Sequence, residues 1–357
     1  MSEQDLVVET VRDILTGHPP FVLTPDRCWD QGLWSALAEA GLTGVGLPEE
    51  AGGSGGELAD AVAIVRTLAA GAAAVPVAEQ LLVAGPALVA AGLDLPSPEA
   101  PLTFAVADAL TVHPVDSGHG PGRFALTGTA ADVAWAGIAS AAVLLVPAPA
   151  GVEGSVLAFI DGPSMEATDD VNLAGEPRGS IVLDAAPASG ALLAGAQASE
   201  IRARYALARA VQLSAALEQV LAWTVQYAGE RVQFGRPLGK FQAIQMELAE
   251  MAGEVTAVTA LTDAAVQALA HGSSDFVLAA AAAKVRAGAA VEVVARLAHQ
   301  VHGAIGFTQE HKLHHLTRRL WSWRDEAGSD LRWSRVLGAG LLDGGPDDLW
   351  PALTRVV

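Results

Sequence analysis

A chain of 357 residues that is 51% apolar has material for two or three folding units, because single cores stop growing below that length. Its net charge of −19 excludes non-specific binding along nucleic acid and docking on anionic lipid, but still permits a local Arg cluster that grips an anionic ligand. The single cysteine, Cys28, excludes an intramolecular disulfide and a CxxC metal pair, and points to a reducing, cytoplasmic setting. The opening MSEQDLVVETVRDIL is acidic and amphipathic, unlike a signal peptide. No window reads as a membrane span.

Residues 1–95 read as a helical domain. Apolar residues recur at helical spacing in LWSALAEAGL (33–42) and LADAVAIVRTLAAG (58–71),. Between them GVGLPEEAGGSGG (44–56) holds Pro48 and a glycine-rich run that demand a loop,. Helical spacing resumes over 75–95 after Pro76, which suits a first turn. Residues 96–190 change character: LTFAVAD (102–108), RFALTGTAA (123–131), SAAVLLVPA (140–148), SVLAFID (155–161) and GSIVLDAA (179–186) are short apolar runs bounded by Gly, Pro and Asp. They predict a small β-domain, with 113–122 as a hairpin-type loop. Residues 191–357 return to helix. The run from about 194 is too long for an ordinary globular helix and predicts a bundle helix. Phe234-Gly235-Arg236-Pro237-Leu238-Gly239 breaks it, and two further helices follow at roughly 240–271 and 274–302. The predicted class is α+β: an N-terminal helical domain, a middle β-domain and a C-terminal four-helix bundle.

Two segments carry ligand chemistry. In ERVQFGRPLGKFQ (230–242), Arg231 offers a planar fork of donors suited to a pyrophosphate. Phe234 offers an aromatic face for adenine or ribose, while Gly235 and Gly239 let the backbone turn beside a ligand. In QVHGAIGF (300–307), Gln300, like Gln242, supplies paired donor and acceptor groups, and Gly303 permits close backbone approach. These segments, together with LWSALAEAGLTGVGLPEEAGGSGG (33–56) and GEPRGSIVLDAAP (175–187), resemble the acyl-CoA dehydrogenase family over nearly the whole chain. The resemblance implies that Arg231, Gln233, Phe234, Gln242, Gln300, Val301, Gly303 and Ala304 clasp the ADP half of an FAD held mainly by a neighbouring subunit. Ala304 departs from the family's usual second glycine.

The resemblance also implies an α,β-desaturation in which a carboxylate removes an α-proton from an acyl-CoA thioester while hydride passes to flavin. The stretch matching the family's base-bearing Tyr-Glu-Gly-Thr reads WRDEAGSD (323–330). Aligned on Gly328 and Ser329, the base position is Ala327, which has no proton acceptor. Glu326, one residue earlier, is the candidate catalytic base; in a loop the shift can be absorbed, whereas on a helix it turns the side chain about 100° away. The family's alternative base position, on the first bundle helix, falls at Tyr205, a poor base at its ordinary pKa. In the β-domain, HPVDSGHGPG (113–122) and TAADVAWAGI (129–138) stand where relatives carry flavin-ring contacts, and Trp135 reads as a packing residue.

The likeness is therefore to the base-less subunit of heterotetrameric acyl-CoA dehydrogenases, in which a paralogous partner supplies flavin pocket and base and an electron-transfer flavoprotein accepts the electrons. Two other readings stand: a self-sufficient homotetramer using Glu326, and a non-redox scaffold that keeps the fold without cofactor. His311, His314 and His315 have metal-compatible helical spacing, but no further ligand completes a set, so no metal is expected. Arg318, Arg319 and Arg324 suit a solvated face, a CoA phosphate or an acidic partner.

Overall fold

The computed structural model describes residues 3–115 and 122–342, together with Gly345, Asp347, Trp350, Pro351 and Thr354. Contacts divide the chain into two compact units, Met1–Val65 with Ala73–Ala208, and Arg66–Ala72 with Arg209–Val357. Helices, then a sheet, then further helices follow in the order expected from the sequence.

The first unit opens with helices α1 (Glu3–Thr16), α2 (Gln31–Glu39) and the start of α3 (Leu58–Ala70). Asp30 caps α2, its carboxylate accepting the Leu33 N–H at 2.9 Å, which satisfies one of the free donors of the first turn. The loop between α2 and α3 folds back on itself through a Leu47–Gly55 bridge. Gly53 is required there, since a Cβ would lie 2.2 Å from the Leu47 carbonyl oxygen. Three segments then run on as one helix: α4 (Val77–Glu79), a π-turn stretch Gln80–Ala84, and α5 (Gly85–Ala90). Leu33, Leu37, Ile64, Leu81 and Leu88 are fully buried.

The sheet contains β1 (Leu102–Val106), β2 (Thr111–Pro114), β3 (Gly122–Ala134), β4 (Ala141–Pro147), β5 (Ser155–Asp161), β6 (Glu166–Ala167) and β7 (Arg178–Leu193). Its order is β1-β4-β5-β7-β3-β2, with β6 on β7. Among the described residues, only β1 and β4 pair in parallel. β1 and β4 are buried along almost their whole length, as their unbroken apolar runs require. β2 and β3 form the antiparallel arms of the expected hairpin, whose residues 116–121 lie outside the described ones. β3 and β7 are longer than their apolar runs suggest. They pair through bulges near Leu126–Gly128 and Ala130–Val133, which bend a long ladder without ending it.

Helix α6 (Gly195–Glu230) leads into the second unit. A two-stranded hairpin of β8 (Val232–Gln233) and β9 (Arg236–Pro237) follows, then α7 (Gln242–Ala270), α8 (Phe276–His302), α9 (Leu313–Asp325) and α10 (Asp330–Leu342). Leu213, Leu217 and Val220 of α6 share one core with Met251, Val255 and Val258 of α7, Val291 and Val294 of α8, and Leu316 and Leu320 of α9. The alanines and glycines of this bundle let helices approach closely. A Cβ on Gly340 of α10 would strike the Leu278 side chain of α8 at 2.5 Å. No described helix is long and apolar enough to cross a membrane.

Gln80 ties the first unit together from its π-turn. Its amide donates to the Thr43 carbonyl at 2.8 Å and the Pro98 carbonyl at 3.0 Å, and accepts the Leu102 N–H at 3.1 Å. Gln80→Leu strands three backbone groups, at Thr43 after α2, at Pro98 before β1 and at Leu102 opening β1, at about 1–3 kcal/mol for each group left unsatisfied. We expect a clear fall in the urea midpoint of the full chain, with Gln80→Glu intermediate; an unchanged midpoint would refute the bracing role.

Candidate cofactor clasp and catalytic corner

Every polar group in the sequence-predicted clasp faces outward. Arg231, Gln233, Phe234, Gln242, Gln300, Gly303 and Ala304 are exposed, while Val301 is buried. Among the described residues, the Arg231 guanidinium has no ion-pair partner, and the side chains of Gln233, Gln242 and Gln300 make no hydrogen bond. The donor set is chemically suited to an ADP moiety: one guanidinium, three carboxamides and an aromatic face. These residues fit FAD binding at its diphosphate end, where Arg231 would take the pyrophosphate and Phe234 the adenosine.

The hairpin that carries Phe234 is a tight two-residue turn. Gln233 pairs with Arg236, and both central residues are left-handed, Phe234 at φ 49° and Gly235 at φ 78°. Both signs match a type I′ turn, which favours Asn-Gly. A phenylalanine at its first position is strained by about 1 kcal/mol, and this one is 91% exposed. Its ring lies edge-on to Phe241 at 6.2 Å, and Phe241 is covered in turn by the Arg236 guanidinium at 4.1 Å.

A stack that the sequence reading passed over joins α6 to the end of α8. The Tyr227 ring lies 4.5 Å from His302 and its hydroxyl donates to the His302 carbonyl at 3.3 Å. His311 packs 4.7 Å from His302. Burial lowers the pKa of both imidazoles, with His299 adding to the effect at His302, and His302, Lys312 and His314 at His311. Tyr227 lies one turn before Arg231, and His302 lies inside QVHGAIGF, so both were findable as neighbours of the motif. Gly303 takes φ 62°, ψ −142°, a region open essentially to glycine alone. It is therefore demanded by the turn out of α8; nothing lies within 4 Å of where its Cβ would be. Ala304 avoids positive φ, so the missing glycine costs the backbone nothing.

The histidines at the start of α9 are engaged locally. His311 Nδ1 accepts the Leu313 N–H at 3.2 Å, and His314 Nδ1 lies 2.7 Å from the His311 carbonyl. Burial, then His314, Arg319 and Arg318, push His315 down to about 4. Among the described residues no group of three or more His, Cys, Asp or Glu is placed to hold a metal ion.

The expected catalytic corner lies between α9 and α10. Ala327 has φ 57° and Gly328 φ 98°, and the Ala327 carbonyl accepts the Trp333 indole N–H at 2.8 Å. Glu326 closes α9 and points inward: its carboxylate lies 2.8 Å from Arg209 Nε, with side chains 10% and 2% exposed. Arg209 also donates to Gln212 at 2.5 Å. Lys284, fully buried, donates to the Arg324 carbonyl at 2.5 Å. Burial lowers its pKa to about 8, against the favourable charges of Asp330, Asp325 and Glu326 and together with the unfavourable charge of Arg209. In the first unit, Tyr205 is 7% exposed with its ring edge-on to Phe104 at 5.1 Å. Trp135 is 5% exposed and packs with Leu23, Ala74 and Ala134. Arg209, Lys284, Asp330 and Trp333 were not singled out as site residues from sequence. Only their folded positions show that they converge.

Residues 1–94 match the acyl-CoA dehydrogenase N-terminal domain and residues 193–330 the acyl-CoA dehydrogenase C-terminal domain. Acyl-CoA dehydrogenase IpdE2 of Mycobacterium tuberculosis is 30% identical over 321 residues, covering 87% of this chain and 89% of its own length. A solved structure of the steroid ACAD Tcur3481-Tcur3483, a G363A variant, superposes with a TM-score of 0.82 at 26% identity, covering 96% of this chain and 98% of that one. Butyryl-CoA dehydrogenase of Megasphaera elsdenii shares the fold at a TM-score of 0.82 and 20% identity, over 96% of this chain and 99% of its own. The chain belongs to the acyl-CoA dehydrogenase family of oxidoreductases.

Two outcomes test these assignments. Phe234→Asn relieves the hairpin strain, so the chain should gain roughly 0.5–1 kcal/mol in chemical denaturation; a loss of stability would show that the ring serves the fold. For Lys284, the unfolded chain binds the proton more tightly than the folded one between about pH 8 and the ordinary value of 10.5. Its contribution to stability must therefore rise as pH climbs through that window, by up to about 3 kcal/mol. Lys284→Met should remove that rise in parallel denaturation series, and an identical pH slope in both proteins would refute it.

Proposed function

We propose that this chain is a subunit of an FAD-dependent acyl-CoA dehydrogenase that clasps the ADP half of the cofactor at a subunit interface. A paralogous partner supplies the flavin pocket and the carboxylate base, in a heterotetramer with two copies of each subunit. The observation that carries the proposal is a contrast. The ADP-competent groups at 231–242 and 300–304 are exposed and uncommitted, while no carboxylate stands free at either base position. Ala327 has none to offer, Glu326 is tied to Arg209, and Tyr205 is packed against Phe104. The two-component designation of the steroid ACAD Tcur3481-Tcur3483 supports the same arrangement.

FAD, when bound, supplies the hydride acceptor for α,β-desaturation of an acyl-CoA thioester. The role of this chain's residues is to bind and orient. Arg231 places two donors against a diphosphate, a charge-assisted contact worth more than a neutral one. Gln242 and Gln300 fix the polar edge of the nucleoside by donating and accepting. The Tyr227–His302 stack holds the end of α6, which leads into Arg231, against the end of α8, which carries Gln300. Proton abstraction falls to the partner. An electron-transfer flavoprotein is the proposed acceptor, and the reaction takes place in the cytoplasm.

Flavin absorbance and acyl-CoA oxidation of the chain, purified alone and with a co-expressed paralogue, test the reading. We expect flavin and turnover only in the complex. A yellow, active chain purified alone would favour the self-sufficient enzyme, and a stable but colourless complex would favour a scaffold. Within the complex, Arg231→Ala should weaken flavin retention roughly ten- to a hundred-fold, and unchanged occupancy would count against the clasp.

A further inference from the structure

The groups left over by the clasp are the charges inside the second unit. Arg209 stands at 1% exposure and Lys284 at 0%, on α6 and α8. Facing them is the short corner from Arg324 to Asp330, and it is pinned at four points. Lys284 Nζ donates to the Arg324 carbonyl at 2.5 Å. The Arg324 guanidinium reaches Asp330 at 3.5 Å. Glu326 meets Arg209 at 2.8 Å. Trp333 holds the Ala327 carbonyl at 2.8 Å. Gly288 on α8 clears the space for Asp330, because a Cβ there would come within 2.1 Å of Oδ1.

This pinning explains the corner's backbone. Ala327, a residue with a Cβ, is held at φ 57°, and such conformations persist only where the surroundings over-determine them. A buried guanidinium and ammonium also require anions, since an uncompensated buried charge costs several kcal/mol. Glu326 and Asp330 are those anions. A general base, by contrast, needs a lone pair within about 2.6–3.2 Å of a substrate proton. The Glu326 side chain is 10% exposed, and its carboxylate is directed at Arg209.

We propose that Arg209 and Glu326 form a positioning pair: Glu326 is the captive counter-charge that locks the 324–330 corner onto α6 and α8, and it takes no proton from substrate. The proposal rests on the reading that this chain has no base of its own, and assigns a role to the carboxylate nearest that position. Lys284 and Asp330 complete the lock from α8 and α10.

The test is a double-mutant cycle with a kinetic arm. In the full chain, Arg209→Met and Glu326→Met should each lower the thermal midpoint, on the order of 5 °C. The double variant should recover at least half of the larger loss, because it removes both charges together. Arg209→Lys should fall between wild type and Arg209→Met, restoring charge without the guanidinium fork. Strictly additive losses would overturn the pair. In the assembled complex, Glu326→Gln should lose stability while the acidic limb of the rate–pH profile stays in place. A displaced or abolished limb in a folded complex would overturn the captive role and make Glu326 a base. If no partner yields turnover, the subunit reading fails, while the cycle still decides the ion pair by itself.

Discussion

Arg209 occupies the middle of a 36-residue helix at 1% exposure, where its guanidinium meets the Gln212 carboxamide and the Glu326 carboxylate. A charge in such a place dictates what surrounds it. It draws Glu326 inward from the end of α9, and that pull turns the chain out of α9 through two left-handed residues. The turn sets where α10 begins, and α10 lies along α8. The same interior holds Lys284, whose depressed pKa shows that its surrounding carboxylates offset only part of the burial cost. Replacing such clusters with apolar side chains often leaves a protein equally stable or more so. What the charges add here is direction, since they fix one path for the corner where an apolar core would tolerate several.

The second unit thus has two regions of opposite character. At the corner, Lys284, Arg324, Arg209, Glu326 and Asp330 are engaged with one another or with backbone carbonyls. At the clasp, Arg231 and three carboxamides stand in solvent. The corner's charges close structure, while the proposed clasp keeps its donors in solvent beside a left-handed Phe234. On the proposed reading the chemistry is left to a partner, because Glu326 is paired with Arg209.

Much of the fold was legible because its signals are local. Apolar periodicity located α2, α3 and the three long bundle helices, and apolar runs located the five principal strands. The strand ends were less legible. The apolar run 179–186 stops at Pro187, yet Pro187 pairs with Ala125 inside the β3–β7 ladder. Gly190 sits there because a Cβ would meet the Leu157 carbonyl oxygen at 2.8 Å, a packing demand that looks like a break from one chain segment alone. The proposed clasp could be named from sequence for a similar reason: its residues lie on two continuous stretches, 230–242 and 300–307. The corner was not. A lone Arg or Lys in an alanine-rich helix looks the same whether it faces water or core, and the partners of Arg209 and Lys284 come from α9 and its exit, far along the chain.

The hairpin and the end of α8 show how the clasp is kept both precise and open. Gly303 is fixed by a conformation that only glycine adopts readily, so the α8 exit is determined by backbone geometry without help from a ligand. Behind it, Tyr227 stacks on His302 and His311 packs beside them, with burial lowering both imidazole pKa values and so disfavouring their charged forms. Phe234 completes the arrangement from the opposite direction: an exposed ring on a strained turn gains nothing for the isolated chain. That ring belongs to the proposed cofactor clasp, where a bound ligand would cover it.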